Sequence, residues 1–300
     1  MKIATWNLRN FYDAGTFVDK EAEEAISDEL FTKRVAYFTK IFKEENIDII
    51  CLQEVGGEKG IAMISEDLGY DCFIAKPDKR GIRMAVMYKK SLSYKLTCES
   101  VSLGDLFMPS IHEKGDTGSL SPIKQRREVL VVNIDSYHGK KLRLVTFHLK
   151  SFLPLFLEGE NYESDRETYV DAKFRCIFYK LMEMRALRSY ADKTLDEQSE
   201  VVFLGDFNEH YKSSGFDILK TSNDEKRVLH DVLIGYKGNP ATHIHDNVPL
   251  AFDTVVVSEE MSNLVENIEV LNQDLKCYSN VPLDEAIVES DHAMVVVEFK

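Results

Sequence analysis

The sequence predicts an α/β chain in which sheets stack on one another and helices cover their outer faces. Three observations carry this prediction. Short strand-like runs recur from one end to the other, several are apolar at every position, and helical patterns with single apolar stripes lie between them. A strand without polar alternation has no wet face, so its sheet must be covered on both sides. Stacked sheets flanked by helices satisfy the whole pattern.

The strand-like runs are Lys2 to Asn7, Ile47 to Gln53, Met84 to Tyr88, Val129 to Ile134, Leu142 to His148, Val201 to Leu204, Phe252 to Val257 and Met294 to Phe299. Between them, Phe31, Val35, Phe38 and Phe42 step by four, three and four residues, which is one face of a helix. Phe174, Ile177, Phe178, Leu181, Met184 and Arg188 repeat this over a longer helix, with Ser164 and Glu167 as its capping box. Segments 100–126, 152–164, 208–225 and 236–250 are polar and rich in Gly, Pro, Asn and Ser, and are expected as long surface loops that bind or gate something. No repeat, low-complexity tract or linker divides the chain, so residues 1–300 are expected to form one domain.

Composition excludes several classes. The net charge is -14, with 51 acidic against 37 basic residues, which argues against a protein that coats nucleic acid by bulk attraction. It does not exclude a nuclease, because screening over about 8 Å lets a local Lys/Arg cluster hold a phosphate. No apolar run reaches membrane-spanning length, and no apolar docking segment is evident. The segment Met1 to Trp6 gives way to Asn7 and Arg9, too early for the apolar region of a signal peptide. The five cysteines are odd in number and scattered, which suits a reducing compartment. A cytoplasmic location and no membrane partner are expected.

The chemical signal lies at the strand ends. The first strand ends in Trp6-Asn7, the second in Leu52-Gln53-Glu54, and a middle one in Thr146-Phe-His148-Leu-Lys150-Ser151. The next ends in Gly205-Asp206-Phe-Asn208, and the last begins after Ser290-Asp291-His292. Oxygen donors such as Asn7, Glu54 and Asp291 suit Mg²⁺ or Mn²⁺, and no Cys/His set has zinc spacing. Taken singly, each motif has a plainer reading: Gly-Asp-Phe-Asn as a turn, Ser-Asp-His as a cap, Asn7 as a buried amide, Glu54 as a solvated strand end. Their joint occurrence in order defeats those readings.

These residues resemble the endonuclease/exonuclease/phosphatase family, whose signature elements are Trp-Asn, Leu-Gln-Glu, Gly-Asp-Phe-Asn and Ser-Asp-His in that order. Asn7-x-x-Asn10-Phe-Tyr-Asp13 is similar to the opening of many bacterial members. Arg80-Gly81-Ile82, Arg126-Arg127 and His148-Leu-Lys150-Ser resemble nuclease-like members of the deoxyribonuclease I and exonuclease III type. The resemblance implies a four-layered αββα sandwich of two facing mixed sheets with one site at the sheet edges. It implies that Asn7, Glu54 and Asp291 hold the metal, that Asp206 and Asn208 position and activate water, and that His292, oriented by Asp253, contacts the phosphate or takes a proton. His148 matches the position that assists leaving-group departure, and Arg127 and Lys150 would grip flanking phosphates. Thr254 departs from the apolar or aromatic residue usual after that Asp. Whether Asp206 or His292 accepts the proton of water stays open at this stage.

Physics supports this division of labour, since phosphodiester hydrolysis needs in-line positioning and charge neutralisation more than covalent work. A Mg²⁺- or Mn²⁺-dependent nuclease acting on nucleic acid is the leading expectation, with no obligate protein partner readable. The alternatives are a phosphatase or phospholipase-type phosphodiesterase on inositol phosphates or lipid head groups, and a non-catalytic phosphate-ligand module on the same scaffold. His243 and His245 would share a strand face but lack a third ligand nearby, and are expected at the surface. His112, His138, His210 and His230 are given no chemical role, and Trp6 is expected to pack against the site.

Overall fold

The computed structural model describes residues 1–17, 25–106, 123–125, 127–278 and 287–300. In chain order the strands are β1 (Lys2–Phe11), β2 (Ile49–Val55), β3 (Tyr70–Ile74), β4 (Arg83–Lys89), β5 (Leu96–Val101), β6 (Asp105–Leu106), β7 (Ile123–Lys124) and β8 (Val129–Tyr137). They continue as β9 (Lys140–His148), β10 (Ser199–Asp206), β11 (Leu229–Asp231), β12 (His243–His245), β13 (Val248–Leu250), β14 (Asp253–Ser258), β15 (Val265–Leu271) and β16 (Met294–Phe299). The helices are α1 (Asp28–Glu45), α2 (Lys59–Leu68), α3 (Arg166–Asp196), α4 (Ser214–Lys220) and α5 (Glu259–Ser262). Two six-stranded mixed sheets result, ordered β15-β16-β1-β2-β4-β3 and β11-β14-β10-β9-β8-β5.

Alternation along the strands builds the layers. Ile3, Ile49, Cys51, Val86, Val295 and Val297 point into the core shared with the second sheet. Their neighbours Ala4, Trp6, Ile50, Leu52, Met87 and Val296 point the other way, onto Phe31, Phe38 and Phe42 of α1 and Ile61 and Ile64 of α2. Both faces are dry, which is why these strands read as uniformly apolar. Each Ile, Val, Leu, Phe or Met among them contributes about 1.5–3 kcal/mol by leaving water. Helices α3 and α4 cover the second sheet through Met184, Leu187, Phe216 and Leu219. The αββα sandwich is therefore the observed fold. Where the sheets face each other near the site, buried Gln53 joins them: its Nε2 donates to Thr5 Oγ1 (3.1 Å) in one sheet and Thr146 Oγ1 (2.9 Å) in the other.

Several expectations need correction. On α3 the stripe Phe174, Ile177, Phe178, Leu181, Met184, Arg188 is buried only at its C-terminal end, at Met184 and Arg188, whereas Phe174 is 58% and Ile177 51% exposed. Alongside those two, the helix buries Ala172, Cys176, Tyr179, Lys180, Glu183, Leu187 and Ala191. Lys180 and Glu183 look like outward residues by periodicity, but their charges are satisfied inside, on Asn208 O and on Lys150 N. An apolar strip of Val170, Phe174 and Ile177 is consequently left at the surface, where none was expected. The N-cap of α3 is Asp165, accepting from Thr168 N at 2.9 Å, one residue past the expected Ser164. Segment 208–225 contains α4, and segment 236–250 contains the β12–β13 ribbon. Segment 100–126 carries the short β6 and β7, and its residues 107–122, with Arg126 and His112, lie outside the described residues.

Candidate active site

The expected residues meet at one end of the sandwich. Asp206 closes β10, with His148 beside it at the end of parallel β9 and Asp253 opposite it at the start of antiparallel β14. The strand-end turn depends on Gly205, where a Cβ would sit 2.2 Å from Phe147 O. The facing sheet contributes Asn7 from β1 and Glu54 from β2. Asn7 Nδ2 donates to Asp206 Oδ2 at 3.0 Å, bridging the two sheets at the site. Asn208 donates its backbone N–H to Asp206 Oδ1 (2.7 Å) and its Nδ2 to Asp206 Oδ2 (3.1 Å) and Leu149 O (3.1 Å).

His292 arrives from the loop before β16. Its Nδ1 lies 2.7 Å from Asp253 Oδ2. The turn that presents it is stapled to β1: Ser290 Oγ donates to Asn7 O (2.6 Å) and accepts from His292 N (3.0 Å), while Trp6 Nε1 donates to His292 O (2.8 Å). This gives Trp-Asn and Ser-Asp-His one shared structural reason. Trp6 is buried, packing edge-on against Phe38 and Phe42 as expected. Thr254, the departure from the usual residue after Asp253, donates its hydroxyl to buried Asp231 Oδ1 at 2.8 Å.

Backbone strain concentrates here. Arg9 (φ 49°), Asn10 (φ 48°), Glu54 (φ 57°) and Asn208 (φ 49°) are all left-handed, a conformation that costs about 1–3 kcal/mol at each non-glycine residue. Two buried cations hold it. Arg34, from the apolar face of α1, donates to the carbonyls of Leu8 (2.5 Å), Arg9 (2.8 Å) and Asn10 (3.0 Å). The turn so held aims Arg9 N at Asn7 Oδ1 (3.0 Å) and Asn10 N at Glu54 Oε2 (2.9 Å). Lys180, on α3, donates to Asn208 O and pairs with Glu209, both at 2.8 Å. Neither cation was singled out from the sequence. The available signal was a charge inside an apolar stripe, Arg34 between Phe31 and Phe38. Asp13, last in Asn-x-x-Asn-x-x-Asp, accepts from Lys59 N and Gly60 N (3.1 and 2.9 Å) at the start of α2.

The electrostatics separate the titratable groups. Burial, then the neighbouring Asp253 charge, pushes the Asp206 carboxyl up to about 7. Burial opposes protonation of His292, but Asp253, with Asp206 and Asp291, outweighs it and holds the imidazole well above its ordinary value. His148 goes the other way: burial first, then Arg127 and Arg80, drives it well below, so it is neutral. Its Nε2 lies 3.4 Å from Asp206 Oδ2 and 3.7 Å from Glu54 Oε1, and its buried Nδ1 has no protein partner among the described residues.

Arg127 is clamped beside His148, with Nε on Asp78 Oδ2 and Nη1 on His148 O, both at 3.0 Å. It lines a cavity of about 250 Å³ with Ala75, Asp78, Ile82, Met84 and His148. Lys150 Nζ turns instead to the carbonyls of Ser151 (2.9 Å) and Leu153 (2.6 Å). Asp291 lies 3.6 Å from Arg9 Nε. His243 corrects the expectation of a surface residue. It bridges to His292 from β12, their ring centroids 4.6 Å apart, and packs on Phe252 at 5.5 Å. The third ligand that seemed missing lies almost fifty residues away in sequence and is brought beside it by strand pairing. His243, Asp291 and His292 hold donor atoms within 4.8 Å of one another, as do Asp206, Asp253 and His292.

Carboxylates and amides converging with an Asp–His pair on two facing sheets define a class, the metal-dependent phosphoester hydrolases. Within it the chain belongs to the Endonuclease/Exonuclease/phosphatase family, whose sequence profile matches residues 4–292. Comparison with curated proteins by sequence finds no match. Among solved structures, TDP2 of D. rerio complexed with a single-strand DNA product is similar at 15% identity and TM-score 0.60, covering 100% of this chain and 98% of that one. The Neisseria 3′ phosphatase NExo bound to a product DNA hairpin is similar at 17% identity and TM-score 0.58, covering 100% and 99%. The human Nocturnin catalytic domain with bound sulfate is similar at 16% identity and TM-score 0.57, covering 100% and 94%.

Proposed function

We propose that the chain is a Mg²⁺- or Mn²⁺-dependent nuclease that hydrolyses phosphodiesters of nucleic acid by in-line attack of water. The observation that carries this reading is the bond from Asn7 to Asp206, which ties the metal side of the site to the water-activating side across the two sheets. The donor set fits a hard cation. Glu54 Oε2 is fixed by a backbone N–H while its other oxygen lies 3.7 Å from His148 Nε2, and Asp291 and Asn7 add further oxygens. A bound ion would polarise the phosphate and lower the pKa of water. The chain's own groups do the rest. Asp206, held by three N–H donors, orients the water and takes its proton. His292 keeps its Nδ1 proton on Asp253 and presents positive charge to the phosphate. Neutral His148 faces the leaving oxygen, and Arg127 grips a neighbouring phosphate. A nucleic-acid substrate agrees with the DNA-bound state of the TDP2 and NExo structures. We place the enzyme in the cytoplasm, since Cys51, Cys72, Cys98 and Cys176 carry free thiols. Among the described residues no helix is long and apolar enough to cross a membrane.

The test is a substrate panel of plasmid, single-stranded DNA, RNA, abasic duplex, inositol phosphates and bis-p-nitrophenyl phosphate, with Mg²⁺ or EDTA. Hydrolysis of nucleic acid and the model diester, lost in EDTA and in Asp206→Ala, is the expected result. Preference for inositol phosphates would replace the nuclease reading with the phosphatase one.

A further inference from the structure

The imidazoles of His243 and His292 are both anchored through Nδ1, one on Asp291 O at 3.0 Å and the other on Asp253 Oδ2 at 2.7 Å. A histidine whose Nδ1 is held by a carbonyl or carboxylate has its tautomer and ring orientation set for ligation through Nε2. The rings are 4.6 Å apart and tilted by 33°, and the Asp291 carboxylate closes the third side, each of the three residues offering a donor atom within 4.8 Å of the others'. Packing on Phe252, 5.5 Å away, supports the His243 ring from behind.

We propose that His243, Asp291 and His292 form a second divalent-cation site, selective for an imidazole-preferring ion such as Zn²⁺. Two nitrogens and one carboxylate with an open position is a donor set that favours Zn²⁺ over Mg²⁺. Donor atoms around a tetrahedral zinc lie about 3.4 Å apart for bonds of about 2.0–2.1 Å, so the three groups draw together when the ion binds. Asp291 belongs to both sets, which makes the two ions neighbours sharing a carboxylate. Occupation requires His292 Nε2 to give up its proton and its phosphate contact. On the reading of His292 given above, Zn²⁺ therefore inhibits an enzyme that Mg²⁺ supports.

The experiment titrates Zn²⁺ by calorimetry into protein saturated with Mg²⁺, using wild type, His243→Phe and His243→Gln. The phenylalanine variant keeps the ring packing and removes the nitrogens. We expect one Zn²⁺ per wild-type chain, and affinity weaker by at least about 100-fold in both variants. Wild type that takes up no Zn²⁺ above Mg²⁺, or variants that bind as it does, overturns the site. Variants that do not fold, judged by circular dichroism, make His243 a folding residue and also overturn it. The Zn²⁺ concentration that halves Mg²⁺-supported turnover, relative to each protein's own activity, should rise by the same factor. Zn²⁺ binding lost in the variants with no inhibition of wild type would keep the site and reject the role of His292 in hydrolysis.

Discussion

Replacing Arg34 by Met removes the guanidinium that holds Leu8 O, Arg9 O and Asn10 O at 2.5, 2.8 and 3.0 Å, while keeping an apolar stem in the α1 face. Each carbonyl left without its charged donor costs about 1–3 kcal/mol, and the loss is partly offset because the buried cation no longer needs desolvation. The net expectation is a loss of about 3–5 kcal/mol, read as the shift in urea unfolding free energy. The same turn aims Arg9 N at Asn7 and Asn10 N at Glu54, so divalent-metal affinity should fall about 10–100-fold in the protein that remains folded. Arg34→Lys keeps the charge but loses the fork, and should be milder in stability than in metal binding. Stability within about 1 kcal/mol of wild type, together with unchanged Mn²⁺ affinity, would refute the argument that Arg34 holds this turn.

Other consequences are equally open to measurement. Gly205→Ala places a Cβ 2.2 Å from Phe147 O, so β10 must move off β9; a loss of about 3 kcal/mol is expected in denaturant unfolding, and an unchanged midpoint would contradict the close approach. Burial raises the Asp231 carboxyl to about 6 from 3.8, so the native state binds its proton more tightly than the unfolded chain. That stabilisation is complete below about pH 4, is lost as pH climbs through about 6, and amounts to about 3 kcal/mol at most. Asp231→Asn should therefore gain stability relative to wild type at pH 7 but not at pH 4, in paired urea titrations. Asp253→Asn leaves His292 without its carboxylate at 2.7 Å and should lower kcat on the model diester by two orders of magnitude or more, as losing one preorganised charge-stabilising donor typically costs about 10²–10³-fold; an unaltered kcat would remove the pair from the mechanism.

The central strands and the strand-end motifs were legible because burial on both faces leaves a run of Ile, Val and Leu that no loop has, and because four short motifs fall in one order at successive strand ends. The edge strands β3, β5 and β15 were not, since half of each faces water and their composition resembles that of loops. On α3 both faces carry apolar residues, and periodicity cannot choose between them when Lys180 and Glu183 find partners inside. His243 escaped because ligand sets assembled by strand pairing have no local spacing to read. Arg34 and Lys180 escaped for a related reason: a charged residue on an apolar stripe is visible in sequence, but the carbonyls that satisfy it are not.

The claim on which everything else rests is that Glu54 and its strand-end neighbours act around a divalent cation. Calorimetric titration of Mn²⁺ into wild type and Glu54→Gln, with turnover followed on the same samples, tests it most directly. The account predicts stoichiometric binding that is weakened at least about 100-fold by the substitution, with hydrolysis lost in parallel and abolished by EDTA. Equal Mn²⁺ affinity in the two proteins, or undiminished turnover after the metal is stripped, would contradict it.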